Sequence, residues 1–301
     1  MKSKIIKLSI GIPAYNEGNN IQNILLDVIS QERRGWKLEE ILVYCDGSTD
    51  NTVKRAKMIK NKLIKTRVGR RRMGKTFRLK QIFREMKGDI LLLFDADIRL
   101  ANSQVITNLV FPMSSNSKIS LVGGNSMPYP PRSLFEKAVY STFEVFYESR
   151  KVYKNGNNVF GCTGSCMALK RDFAKSISFP KIINEDAYIY FQCKKLSLGF
   201  RYCDDAIVYY KLPKSVKDYL RQVLRSEPKV VSMELKKYFG NLVEEELKRP
   251  KISYLRSILK EFTRNPLGVS YVSLLNVFCK PFFSVVLRNY KLAWFTADST
   301  K

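Results

Sequence analysis

The chain has 301 residues, 45% of them apolar, enough for one large domain or one domain with an appendage around a sizeable core. It contains no histidine, which excludes a Ser-His-Asp triad, a Cys-His pair and His-ligated zinc, so any general base must be Asp, Glu, Lys, Tyr or Cys. With 53 Lys and Arg against 27 Asp and Glu, the net charge of +26 implies an acidic partner (nucleic acid, anionic lipid headgroups or phosphorylated substrates), unless it serves only solubility and weak non-specific binding.

In chain order, the first half alternates strands and helices. Ile5 to Ile12 is a β-rich run ending at Pro13, too short and too soon polar for a secretory signal, so the protein is expected in the cytoplasm. Residues 19–31 carry Ile21, Ile24, Leu25, Val28 and Ile29 at a helical period. Residues 40–45 form a second strand, followed by a helix over 50–59 capped by Thr49 or Asp50. A third strand is expected at 63–66 and a helix at 76–86. The wholly apolar run 90–94 lies between Asp89 and Asp95. A strand apolar on both faces, set between helices, implies a sheet covered on both sides. Beyond it come a strand at 119–123, a Pro-rich turn at 127–132 and a long aromatic helix at 134–153. A Gly-rich loop at 161–164, a helix opening at Asn184, a strand at 201–210 and a helix over 216–235 broken at Pro228 follow.

The tail from 267 to 287 is apolar but carries Lys280 and Pro281. A spanning helix needs about 20 apolar residues, and a central lysine costs roughly 2.5–3.5 kcal/mol. Two helices lying in a membrane interface and broken at Pro281 fit better, with Arg288, Lys291 and Trp294 at the headgroup boundary; packing on the soluble domain is the plain alternative. The domain boundary is expected near residue 235, with a catalytic part at 1–235 and a helical region at 236–301. Six cysteines, at 45, 162, 166, 193, 203 and 279, have no CxxC spacing and read as thiols in a reducing compartment.

In open α/β sheets ligands bind outside the carboxyl ends of the strands. Here those ends read Pro13-Ala14-Tyr15-Asn16-Glu17, Asp46-Gly47-Ser48-Thr49-Asp50 and Asp95-Ala96-Asp97. Two carboxylates spaced i, i+2 at a strand end suit one hard cation, Mg²⁺ or Mn²⁺, bridging to substrate phosphates; the plain alternative is a solvated turn. Asp46 can accept from a base or ribose, or bond its own turn. Asp50 is read as a helix cap. The 54–87 stretch carries fifteen Lys or Arg and one acid, Glu85, for a net of +14, and includes Gly74-Lys75. These cations suit phosphates, a headgroup surface or a solvated face. Gly161-Cys162-Thr163-Gly164-Ser165 offers exposed amides and hydroxyls, or only a turn between strands. Glu185-Asp186 at a helix start is either dipole compensation or, in a chain without histidine, the source of a base.

Taken in order, these residues resemble the family 2 glycosyltransferases, which share the GT-A fold, a mixed, mainly parallel Rossmann-like sheet flanked by helices. The resemblance covers about residues 5–230. It is carried by Ile12-Pro13-Ala14-Tyr15-Asn16-Glu17, by Val43 to Asp50, by Gly74-Lys75, by the Asp95-Ala96-Asp97 triplet and by the Gly161–Gly164 and Glu185-Asp186 pieces. It implies a nucleotide-sugar donor, UDP- or GDP-linked, and a metal, Mn²⁺ or Mg²⁺. Pro13, Tyr15 and Glu17 would line the nucleotide, with Asp46 on the base. Asp95 would face the ribose and donor sugar, Asp97 would hold the metal, and Lys75 would meet the diphosphate. Gly161, Thr163, Gly164 and Glu185 would lie on the acceptor side, with Asp186 as the base.

Gln222-Val223-Leu224-Arg225-Ser226 resembles the QxxRW motif of polysaccharide synthases, but Ser226 replaces the tryptophan. Single-sugar transfer is therefore expected over polymerisation, with Arg221 and Arg225 facing the diphosphate. The acceptor is expected to be a lipid or glycan at an anionic membrane surface, the protein associating peripherally. Three alternatives stay open: transfer to a polyprenyl phosphate, a nucleotidyltransferase, and a non-catalytic nucleic-acid binder. No zinc-finger, RNP-type or helix-turn-helix signature supports the last, so no specific nucleic acid is expected.

Overall fold

The computed structural model describes residues 5–226, 228–248 and 250–288, except the side chains of 224–226, 229, 230 and 279–288. Eight strands form one sheet: β1 (Ile6–Ala14), β2 (Trp36–Cys45), β3 (Ile64–Val68), β4 (Ile90–Phe94), β5 (Arg99–Leu100), β6 (Ile119–Pro128), β7 (Cys166–Lys170) and β8 (Gly199–Tyr210). Their order is β3-β2-β1-β4-β7-β6-β8-β5. Strands β3, β2, β1 and β4 run parallel, whereas β7 is antiparallel to β4 and to β6, and β5 to β8. The sheet is mixed, with its parallel part confined to one half.

The helices are α1 (Ile21–Ile29), α2 (Thr52–Met58), α3 (Lys75–Glu85), α4 (Val105–Ser115), α5 (Leu134–Val152), α6 (Arg171–Ser176), α7 (Glu185–Lys195), α8 (Val216–Ser226), α9 (Pro228–Phe239), α10 (Asn241–Leu247), α11 (Lys251–Arg264) and α12 (Pro266–Arg288). The parallel strands have a covered face on each side. Leu8, Ile10, Ile12, Leu92 and Phe94 join α1 and α4 in one core, with Ile21, Ile24, Leu25 and Val28 supplying the stripe of α1. On the other face α3 comes so close that a Cβ on Gly11 would lie 2.6 Å from Ile82 Cγ2. All five side chains of β4 are buried, each worth roughly 1.5–3 kcal/mol of transfer free energy. Registers Ala14↔Cys45 and Gly11↔Leu93 bring the carboxyl ends of β1, β2 and β4 to one edge.

At the other end of these strands Glu40 is fully buried. Its carboxylate accepts from Ser9 Oγ (2.9 Å), the Lys87 amide (2.8 Å) and Lys65 Nζ (2.6 Å). The lone acid of the 54–87 stretch, Glu85, is engaged by Arg67 and by the Tyr44 hydroxyl. Burial and the Glu85 charge push Tyr44 up to about 12. Cys45, Cys162, Cys166, Cys193 and Cys203 are free thiols, and burial raises Cys45 to about 11 and Cys193 to about 12.

The chain divides into two compact units, one of residues 1–127 with 161–210, the other of 128–160 with 211–300. Residue 235 falls within α9, in the second unit. That unit is helical. Ser133 caps α5, accepting from the Glu136 amide, and Glu136 Oε2 returns a bond from the Arg132 amide. Both α11 and α12 pack on α5, and Asn265 between them donates to Ser141 Oγ at 2.8 Å. The expected break at Pro281 does not occur. α12 runs for 23 residues through that position, a local cost of about 3 kcal/mol that its remaining turns absorb. Among the described residues no helix is long and apolar enough to cross a membrane. The positions proposed for a headgroup boundary, Lys291, Trp294 and the side chain of Arg288, lie outside the described residues.

The Glu40 network yields a direct test. Glu40→Ala strands three buried or half-buried donors and should lower stability by about 3 kcal/mol in chemical denaturation. An unchanged denaturation midpoint would show that the network carries no weight.

Candidate active site

Each expected strand-end loop emerges on the edge where β1, β2 and β4 finish. The loops do different work. Asp50 Oδ1 accepts from the Thr52 amide at the start of α2 (2.9 Å), and Oδ2 from the Gly18 amide (2.9 Å). Burial alone would raise its pKa, but these hydrogen bonds outweigh it and hold the carboxyl below its ordinary value. Asp50 therefore braces the 16–20 turn; the N-cap position of α2 is Asn51, one residue beyond the cap expected at Thr49 or Asp50. Glu17 belongs to the same brace: its amide donates to Thr52 Oγ1 (2.7 Å), and its carboxylate accepts from Asn20 Nδ2 (2.7 Å).

Asp46 is fully buried and not open to solvent. It accepts from the amides of Met73 (2.8 Å) and Gly74 (2.7 Å) and from Arg78 Nε (2.7 Å). The 69–74 loop thus folds over the end of β2. Gly47 permits this at φ 68°, since a Cβ there would lie 2.5 Å from the Arg71 carbonyl carbon. Arg72 stacks on Tyr15, its guanidinium carbon 4.1 Å from the ring centroid. A buried carboxylate must find donors, and Arg78 with two loop amides supplies them.

The second cluster is built on Lys75, the first residue of α3. Its Nζ lies 2.6 Å from Asp95 Oδ1 and 2.8 Å from Glu185 Oε1, with only 10% of the side chain exposed. Burial alone would lower the Lys75 pKa; the Asp95 and Glu185 carboxylates outweigh it and hold the ammonium well above the ordinary lysine value. Gly164 makes the approach possible, because a Cβ there would sit 3.0 Å from Nζ and 3.1 Å from Glu185 Oε1. Asp95 Oδ1 is buried, and it is held by the Lys75 ion pair. Pro13, Phe94 and Met167 share the crevice with Lys75, Gly164 and Glu185.

Asp186 opens α7 beside Glu185. Its carboxylate accepts from the Gly164 amide (3.1 Å) and the Ala187 amide (2.8 Å). The Asp95 amide donates to the Ser165 carbonyl at 3.2 Å, which ties the acidic triplet to the Gly-rich loop. Thr163, Ser165 and Ser126 form a hydroxyl cluster, with Ser126 Oγ 2.9 Å from Thr163 Oγ1 and 2.5 Å from Ser165 Oγ. Gly161 lies against β6, since a Cβ on Gly123 would meet the Gly161 oxygen at 2.1 Å. Asp97, half-buried, closes the triplet.

Lys75, Asp95, Gly164, Glu185 and Asp186 are therefore brought together with Pro13, while Tyr15 and Asp46 meet the 69–74 loop. Arg225 lies in α8 of the second unit, and its side chain is outside the described residues; Arg221 on that helix pairs with Asp218 at 3.3 Å. The sequence pattern singled out neither Arg78 nor Ser126. The Arg78 signal was its place one turn into the helix that Lys75 opens.

The cluster can act on charge. Mg²⁺ and Mn²⁺ use one or two carboxylates and complete their shell with water and substrate phosphates. No group of three or more potential ligands exists among the described residues, and Asp95 with Asp97 two residues on suits that two-carboxylate mode.

Because the folded Lys75 pKa is raised, its stabilising contribution is complete below the unfolded value of about 10.4 and is lost only as pH rises through the folded value. Stability from this triad should therefore be flat between about pH 6 and 9. Lys75→Met and Asp95→Asn should be non-additive, with a coupling of about 1–3 kcal/mol in a double-mutant denaturation cycle. Additive losses would contradict the ion triad.

Comparisons with known proteins identify the family and the fold. The sequence model of glycosyl transferase family 2 matches residues 9–178. The O-antigen chain rhamnosyltransferase RfbN of Salmonella typhimurium is 26% identical over 212 residues, 67% of this chain, and the match spans 66% of that protein's length. The mannosyltransferase PcManGT of Pyrobaculum calidifontis, solved with GDP-Man and Mn2+, superposes with a TM-score of 0.59 at 16% identity over 95% of this chain and 79% of its own. Glucosyl-3-phosphoglycerate synthase of Mycobacterium tuberculosis, solved with Mn2+, UDP and phosphoglyceric acid, gives 0.56 at 17% identity over 78% and 79%. These two likenesses establish the fold, a mixed α/β sheet flanked by helices, and the sequence match over more than half of its length establishes that the chain belongs to glycosyl transferase family 2.

Proposed function

We propose that the protein is an inverting glycosyltransferase that moves a single sugar from a nucleotide-diphospho-sugar, UDP- or GDP-linked, to the hydroxyl of a lipid or glycan acceptor at the cytoplasmic face of a membrane. One observation carries the reading. A buried ammonium, Lys75, is held between the strand-end acid Asp95 and the helix-start acid Glu185, with Asp186 beside it. This is the charge pattern a diphosphate leaving group requires: a fixed cation for the phosphates, and carboxylates that can work with a second, divalent cation. Asp97 is the metal ligand in this reading, with Asp95 turned to the ribose and sugar. Bound there, Mn²⁺ or Mg²⁺ would neutralise the negative charge that grows on the departing diphosphate.

The chain's own residues supply the rest. The acceptor oxygen attacks the anomeric carbon, its proton passes to the Asp186 carboxylate, and the carbon–oxygen bond to the diphosphate breaks with its electron pair leaving on the nucleoside diphosphate. The Gly164 and Ala187 amides fix the Asp186 carboxylate at the mouth of α7. A single displacement inverts the anomeric centre. Pro13, Tyr15 and Glu17 lie along the nucleotide side, and Asp46 meets the base once the 69–74 loop yields its amides. Thr163, Gly161 and Glu185 face the acceptor.

Two measurements test the reading. In a thermal-shift panel of UDP-, GDP- and dTDP-sugars with Mn²⁺, the cognate donor at about 100 times its Kd should raise the midpoint by roughly 5–10 °C. Asp97→Ala should remove the Mn²⁺-dependent part of that rise. No stabilisation by any donor would contradict the site. With an acceptor in hand, Asp186→Asn should lower kcat by about 10²–10⁴; retained turnover would instead identify an acceptor that needs no base, such as a polyprenyl phosphate.

A further inference from the structure

The second unit presents a helix with an apolar stripe turned outward. α11 buries Ser257 and Glu261, each 7% exposed, while Ile252, Leu255, Leu259 and Phe262 stand 69%, 58%, 66% and 45% exposed. Their spacing of three, four and three residues lays them in one stripe along the outer side. At about 100° per residue, Lys251 borders one edge of that stripe and Arg256 the other. On the buried side Ser257 Oγ donates back to the Ser253 carbonyl of the same helix (2.9 Å), and at the packing edge Lys260 pairs with Glu148 of α5 (2.7 Å). α12 also turns apolar residues outward, Leu267, Leu274 and Phe278, although its buried side, with Val269 and Val272, is apolar. Single exposed apolar residues are ordinary, but an unbroken stripe on a helix that buries its polar side marks a binding surface.

Charge decides what covers it. From Lys248 to Arg264 the sequence holds six Lys or Arg and one acid, the buried Glu261. A protein partner's core is poor in lysine, and a second copy would bring the same positive charge to the same face. Lipid phosphates instead accept ammonium and guanidinium groups whose stems run along an apolar stripe. No described helix is long and apolar enough to cross a membrane, so the mode is in-plane.

We propose that α11 docks the protein on an anionic lipid bilayer, with Ile252, Leu255, Leu259 and Phe262 at the acyl boundary and Lys251 and Arg256 among the phosphates. The inference rests on the membrane-surface part of the proposed function and names the surface responsible. It does not need the donor site.

Flotation of the full chain with vesicles tests it. The wild type should bind vesicles of phosphatidylcholine with about 30% phosphatidylglycerol, bind phosphatidylcholine vesicles far less, and release as salt rises. The pair Leu255→Glu and Leu259→Glu should cut binding at least about tenfold with an unchanged thermal midpoint, since both side chains are exposed. Lys251→Glu with Arg256→Glu should abolish the preference for phosphatidylglycerol. A wild type that binds neither vesicle, or a leucine variant that binds like it, would overturn the proposal. So would a wild-type dimer that the leucine variant converts to monomer, which would give the stripe to a second copy. The nucleotide-sugar thermal shift keeps the two readings apart: its loss in a chain that still binds vesicles counts against the donor site alone, and its persistence in a chain that binds none counts against α11 alone.

Discussion

The Lys75 ammonium, buried between Asp95 and Glu185, is the interaction on which the rest of the site depends. It joins three elements distant in sequence: the start of α3, the end of β4 and the start of α7. Gly164 lies against it: a Cβ there would stand 3.0 Å from Nζ, and the Lys75 side chain would have to give way slightly. The contact is expensive to keep dry. A buried ion pair is an uncertain source of stability, because desolvation offsets much of the attraction. A cation retained there between two acids is better explained by what it can meet when a ligand enters. In the proposed reading, diphosphate oxygens would compete with Asp95 and Glu185 for this ammonium.

The sheet makes that arrangement possible. Four parallel strands end at one edge, and the polar residues that follow them are forced into proximity. Asp46 and Asp95 both follow apolar strands there and both pair with a cation, yet their surroundings differ. Asp46 is closed off by Arg78 and the amides of Met73 and Gly74, whereas Asp95 pairs with Lys75, whose side chain lines the crevice. The large positive charge is partly spent in this way. Lys65 serves Glu40, Arg67 serves Glu85, and Lys75 and Arg78 serve the two strand-end acids. The cations along α11 belong to another surface.

Much of this was legible in the residues. The apolar run 90–94 is β4 at its observed bounds, because a strand covered on both faces has no polar position to blur its ends. The stripe of Ile21, Ile24, Leu25 and Val28 is the buried face of α1. The clustering of Lys75, Asp95, Gly164, Glu185 and Asp186 was legible as a set, through their order and the resemblance, though not as an ion triad. What escaped depends on long-range packing. β7 and α6 are short and carry weak periodicity, and β7 exists because β4 and β6 flank it. The pairing of Asp46 with Arg78 joins residues 32 apart that only the loop geometry brings into contact. The continuity of α12 through Pro281 went against a local rule that the rest of the helix overrides.

The central claim is that the Asp95-Ala96-Asp97 turn and Lys75 together receive a metal-bound diphosphate. A crystal structure of the chain grown with Mn²⁺ and the nucleoside diphosphate that best stabilises it tests this most directly. The account predicts an anomalous manganese peak against the Asp97 carboxylate, with diphosphate oxygens within hydrogen-bond reach of Lys75 Nζ. A manganese peak elsewhere, or a diphosphate bound away from Lys75 while the Lys75–Asp95–Glu185 triad stays closed, would contradict it.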